Sequence, residues 1–254
     1  MKEIIAIIRY TLKENIRNKT FYVLLLFTII LLFISTLLSV LGGGESIRIL
    51  YDFGLVIIEF FALLIIVFSG VNLLLEEMDS KALYLILTRP IPKEYYLLGR
   101  YFGLLYSVIL SMIFMSIIHI ILLLYTGWEP NFSYFVSIFF SGLKITIIGA
   151  LAVFFSLFST SRVSALVFTL FIWLLGHFNQ EIKFLIDKIS STILQIVMRL
   201  LYYIIPNLQF FNFRELSDSG IVFSKIILNV LIYGISYSCI CIIFSILLFK
   251  YKEF

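Results

Sequence analysis

A stretch of about twenty residues almost without charge leaves a chain few folds, because a helix of that length, at 1.5 Å rise per residue, spans a hydrocarbon layer about 30 Å thick. Six such stretches can be read here: Phe21 to Leu41, Tyr51 to Leu75, Tyr101 to Tyr125, Ser133 to Phe158, Val163 to Phe178 and Lys225 to Phe249. With 62% of its 254 residues hydrophobic and 13% charged, the chain holds more apolar surface than a soluble domain of this size can bury. Barrel strands would alternate over about ten residues, which these runs do not. The expected fold is an all-α integral membrane protein with six transmembrane helices. The net charge of +4 does not suggest nucleic acid, and the basic residues matter through where they sit.

Cationic loops stay on the cytoplasmic side of a membrane. An inner or plasma membrane with the N-terminus in the cytoplasm puts Lys2, Arg9, Lys13, Arg17 and Lys19 inside, followed by Lys81, Arg89, Lys93 and Arg100, then Arg162, then Lys250 and Lys252. The two short outer loops then hold only Arg48. Both termini are expected to be cytoplasmic. A cleaved signal peptide is rejected for the first run, which is too long and is followed by no small-residue cleavage site. Cys239 and Cys241, two apart on a helix, point about 200° away from each other and suit neither a disulfide nor a metal pair.

Three segments outside the spans carry information. In residues 1–20, Ile4, Ile5, Ile8, Leu12 and Ile16 recur at helical spacing, with Lys2, Arg9, Lys13 and Arg17 left to face water and lipid phosphates, so an interfacial amphipathic helix is expected. Between the fifth and sixth spans, residues 179–224 contain a stripe of Ile182, Leu185, Ile186, Ile189, Ile193, Ile196, Val197 and Leu200. That pattern predicts one amphipathic helix on the outer face, ended or kinked at Pro206, or a re-entrant hairpin. A seventh span from Thr192 to Ile205 is disfavoured, being too short and requiring an outer C-terminus.

The third segment is the charged island 76–100. Asp79 or Ser80 can cap a helix over Lys81 to Thr88 that Pro90 and Pro92 stop. Leu83, Ile86 and Leu87 would share one side of it, a plug for a groove on a soluble partner, or a face lying on lipid headgroups.

Ionisable residues within hydrocarbon are costly and point to pairing or function. Glu59 lies ~12 Å into the second span from outside and Lys144 ~18 Å into the fourth, so the two can pair, snorkel separately, or line a polar path. His119 and His177 have no carboxylate or cysteine at ligand spacing and read as core or interface residues. No G-x-x-x-x-G-K-[ST], H-E-x-x-H or G-x-S-x-G occurs, so no catalytic residue and no metal site are expected, and the chain is not expected to hydrolyse ATP by itself.

The chain resembles the permease subunits of ABC transporters of the ABC-2 type. The residues that carry the resemblance are TLKENIRNKTF at Thr11 to Phe21; Glu76, Asp79, Lys81, Leu87, Pro90, Ile91, Pro92, Gly99, Arg100 and Gly103; and IIPNLQFFNFRE at Ile204 to Glu215. The resemblance covers nearly all of the chain and implies one transmembrane domain over residues 1–254: entry helix 1–20, spans at 21–75, coupling loop 76–100, spans at 101–178, outer segment 179–224, and the last span with its tail at 225–254. It further implies a coupling helix whose docking face is Leu83, Ile86 and Leu87, with Glu76, Glu77, Asp79, Lys81 and Arg89 as charged contacts to an ATP-binding cassette subunit. ATP and magnesium would be bound by that partner, and a second permease subunit, identical or related, would complete an exporter. Two other readings stand beside it: a membrane subunit that transmits force to an outer protein partner without moving a solute, and, more remotely, an intramembrane enzyme.

Overall fold

The computed structural model describes residues 2–79, 92–189, 191–212 and 223–251, and among them there is no strand. Helix α1 (Lys2–Arg17) leads into α2 (Lys19–Leu41). A tight turn at Gly43, whose φ of +56° favours glycine, reverses the chain into α3 (Ser46–Asp79). The next helices are α4 (Lys93–Tyr125), α5 (Phe132–Phe158) and α6 (Arg162–His177). They are followed by α7 (Asn179–Lys188), α8 (Thr192–Ile204), a 3-10 turn at Leu208–Phe211, and α9 (Phe223–Tyr251). The result is an all-α membrane protein in which six helices are long and apolar enough to cross a bilayer.

The bundle has two recognisable ends. At one, here the near end, the start of α4 meets α1 and the last turn of α9, where Tyr96 stacks on Phe249 with ring centroids 6.0 Å apart. At the far end, Leu50 and Leu55 of α3, Leu123 of α4 and Tyr134 of α5 form a compact cluster. The 34 residues of α3 would reach ~50 Å, well past a hydrocarbon layer, and its last turns carry Glu76 and Glu77. Small residues let α3 and α5 approach closely: a Cβ on Gly70 would lie 3.0 Å from that of Ala152, and one on Gly149 3.0 Å from Ile66.

Four points change or go beyond what the sequence predicts. Helix α1 forms over the expected residues, and a polar face outside its isoleucine stripe packs on the bundle. Thr11 and Asn15 are buried while Ile5 is exposed. The cause is a small-residue pair on α4, Gly99 and Gly103, where a Cβ would lie 2.8 Å from Ile7 Cβ and 2.6 Å from Thr11 Cβ. α1 therefore docks on α4 along its Ile7 and Thr11 face, and Asn15 donates to Ser107 at 3.0 Å.

Of the two forms expected for this segment, one helix over Ile182 to Leu200 or a hairpin, the structure has two helices, with Ile189 and Ser191 in extended conformation between them. Serine and threonine compete for backbone hydrogen bonds and weaken helix interiors, and here Ser190, Ser191 and Thr192 come in succession. The second helix does stop before Pro206, with Ile205 extended at ψ 130°.

The third change concerns the fifth span. α6 has 16 residues, about 24 Å, and its last residue His177 stands beside Lys144, which lies ~18 Å in from the far-end start of α5. It therefore stops partway through the bundle. The fourth concerns which segments pass as spans: by length and apolarity alone, Thr192–Phe211 qualifies and α6 does so only jointly with α7, the two being bent by 66°. However, the end of α8 comes back to the end of α6, since a Cβ on Gly176 would lie 2.7 Å from the Pro206 carbonyl oxygen. The α7–α8 hairpin thus leaves and rejoins the bundle at one level.

Candidate functional site

Two buried polar centres stand in this apolar bundle. The first surrounds Lys144, whose side chain is 1% exposed. On α5 the residues Ser137, Ser141 and Lys144 follow at spacings of four and three and so share one stripe. That stripe faces Glu59 of α3. Lys144 Nζ donates to Glu59 Oε1 at 2.5 Å and to Asn212 Oδ1 at 2.7 Å, and Ser141 Oγ donates to Glu59 Oε2 at 2.7 Å.

His177 completes the set. Its Nδ1 lies 2.9 Å from the Trp173 carbonyl, which can only accept, so Nδ1 carries the proton. Nε2 then presents its lone pair to Lys144 Nζ at 3.4 Å. The ammonium has three donors and finds three acceptors, on α3, on α6 and beyond the 3-10 turn. Burial of a charge in hydrocarbon is tolerable only when it is paired and hydrogen-bonded in this way. The 3-10 turn is itself pinned, as Gln209 Nε2 donates to the His177 carbonyl at 2.6 Å.

Beside this centre lies a cavity of about 350 Å³, with Glu59, Lys144, His177 and Asn212 on its polar side and Phe60, Trp173 and Phe211 among its apolar walls. It offers hydrogen-bond donors and acceptors at mid-depth in the bundle. Among the described residues no group of three metal-ligating side chains occurs. His119, at the far end, is a core residue: its ring nitrogens lie 3.1 Å from Tyr134 Oη and 3.2 Å from the Leu50 carbonyl.

The second centre is at the near end, where Arg100 of α4 is buried to 1%. Its guanidinium pairs with Glu14 of α1 and Glu77 of α3. It also donates to Thr11 Oγ1 at 3.2 Å and Tyr96 Oη at 3.1 Å, and the Tyr96 hydroxyl donates in turn to Glu77. A planar fork of five donors can serve all four of these partners at once, one more than the three donors of a lysine. α1, α3 and α4 are therefore tied together within a few residues of where the 80–91 segment leaves and returns.

Of the expected docking residues, Glu76 is exposed at the end of α3, whereas Glu77 turns inward and gives its carboxylate to Arg100 and Tyr96. Asp79 is the last residue of α3. Lys81, Leu83, Ile86, Leu87 and Arg89 lie outside the described residues. Glu59 and Lys144 come together, and His177, which the sequence left isolated, joins them. The partners missed from sequence were Ser141, Asn212, Glu14 and Arg100. Ser141 was detectable through its spacing to Lys144. Asn212 and Glu14 reach their partners only by tertiary folding. The chain matches no protein-family model and no curated protein sequence.

Proposed function

We propose that this chain is the transmembrane permease subunit of an ABC-2 type transporter, one of two such subunits in an exporter driven by separate ATP-binding cassette subunits. The observation that carries the reading is the Arg100 network. The loop after α3 is rooted on α3 and α4, and Arg100 binds these two helices and α1 at that root. A partner that moved the loop would move three helices together, the kind of coupled rigid-body shift by which domain motion is passed into a membrane. On this reading Leu83, Ile86 and Leu87 form the docking face, with Glu76, Asp79, Lys81 and Arg89 around it, and ATP with magnesium is bound by the partner. Arg9, Lys13, Arg17, Lys93 and Lys250 all belong to near-end elements, which supports a cytoplasmic near end with both termini there.

The polar centre at Lys144, beside its cavity, favours solute movement over pure force transmission. The second reading, force passed to an outer protein partner, draws on the exposed apolar side chains Ile193, Ile196 and Leu200 of α8. ATPase activity stimulated by a solute supports transport, and stimulation by an outer protein alone supports the second reading. Docking itself is tested by Leu83→Asp and Leu87→Asp. Either should abolish co-purification of an ATP-hydrolysing subunit while leaving the chain monodisperse; unchanged co-purification would sink the proposal.

A further inference from the structure

An apolar slot of about 800 Å³ opens on the bundle surface between α2 and α4. Phe21, Leu25 and Ile29 line one wall, and Leu110, Phe114 and Ile117 the other. Phe21 to Ile29 spans ~12 Å along the helix, so the slot runs inward from the near end for a large part of one leaflet. Ile16 and Phe21 line its near end, and Arg17 and Lys19 lie between those two residues in the chain. Both cations are exposed, and among the described residues neither takes part in an ion pair. Arg17 also lines a notch with Lys13, Glu14 and Glu76, where Glu14 is engaged by Arg100.

We infer that this slot is a binding site for one anionic phospholipid, with an acyl chain between α2 and α4 and the phosphate held by Arg17 and Lys19. A neutral acyl slot would accept any lipid. The two exposed cations between Ile16 and Phe21 are what select for an anionic headgroup, each contributing about fivefold, the equivalent of ~1 kcal/mol. The site is independent of the docking loop, so it stands or falls apart from the proposed function.

The test is native mass spectrometry of the purified full chain after equilibration with equimolar dioleoyl-phosphatidylglycerol and dioleoyl-phosphatidylcholine. The wild type should retain one phosphatidylglycerol in ~25-fold preference to phosphatidylcholine at low salt, and added salt should erode that preference. Arg17→Gln with Lys19→Gln should remove the preference while leaving phosphatidylcholine retention unchanged. Leu110→Trp, which fills the slot, should lower retention of both lipids, and Lys188→Gln, far from the mouth, should alter neither. Equal retention of the two lipids by the wild type overturns the inference. So does a preference that survives loss of both cations, or a filled slot that holds lipid as before.

Discussion

Lys144 and Arg100 each bury a full positive charge, and the two differ in how their partners are exposed. Lys144→Met would leave Glu59 in an apolar bundle without its counter-ion, a change that costs about 3–5 kcal/mol when a buried pair is broken. Glu59→Gln combined with Lys144→Met removes both charges and should melt closer to wild type than Lys144→Met alone, as read by thermal denaturation in detergent. A double variant less stable than either single change would show that the two side chains do not act as a pair. Around Arg100 the two carboxylates should be unequal, because Glu77 is 9% exposed and Glu14 42%. Glu77→Ala should therefore cost about 3–5 kcal/mol. Glu14→Ala should cost less than ~1 kcal/mol, as expected for a partner largely in water. Equal losses in the same melting experiment would contradict the assignment of Glu77 as the buried anchor.

At the scale of elements, the packing of α1 on α4 depends on glycine. A Cβ at Gly103 would meet Thr11 Cβ at 2.6 Å and the Ile8 carbonyl oxygen at 3.0 Å, and since backbone cannot give way cheaply, Gly103→Leu should lift α1 off the bundle. Trypsin should then cut at Lys13 and Arg17 faster than in wild type. Gly142→Ala, where a Cβ meets nothing within 4 Å, should cut at the wild-type rate. Unchanged cleavage of the Gly103 variant would mean that α1 is held by other contacts. These same elements show what sequence can and cannot supply. The span Phe21 to Leu41 is legible to the residue, since composition alone marks where an apolar helix begins and ends. The inward face of α1 was not legible, because a half-apolar helix can present several faces and the glycines that choose one lie about ninety residues away. The break between Ile189 and Ser191 is hidden by an isoleucine stripe that continues in phase across it. Glu59 and Lys144 were noticed as costly residues, but Asn212 and His177 became their partners only because α6 stops partway and the α7–α8 hairpin returns to its end.

For the whole molecule, the two polar centres divide the work. The near-end centre locks α1, α3 and α4 beside the loop through which a partner would act, and the centre at Lys144 joins α3, α5 and α6 beside a cavity at mid-depth. α3 belongs to both, so a displacement at the loop has a direct mechanical route to Glu59, along one helix of 34 residues. The central claim is that a separate ATP-binding subunit grips that loop. A photo-crosslinking amino acid placed at Ile86, in cells that express the chain at natural levels, tests it most directly, with the same probe at Ile193 on the α7–α8 hairpin as control. The expected result is an ultraviolet-dependent adduct at position 86 whose added mass digests to a chain carrying the G-x-x-x-x-G-K-[ST] phosphate loop, and no such adduct at position 193. No adduct at position 86, or the same adduct from both positions, would contradict it.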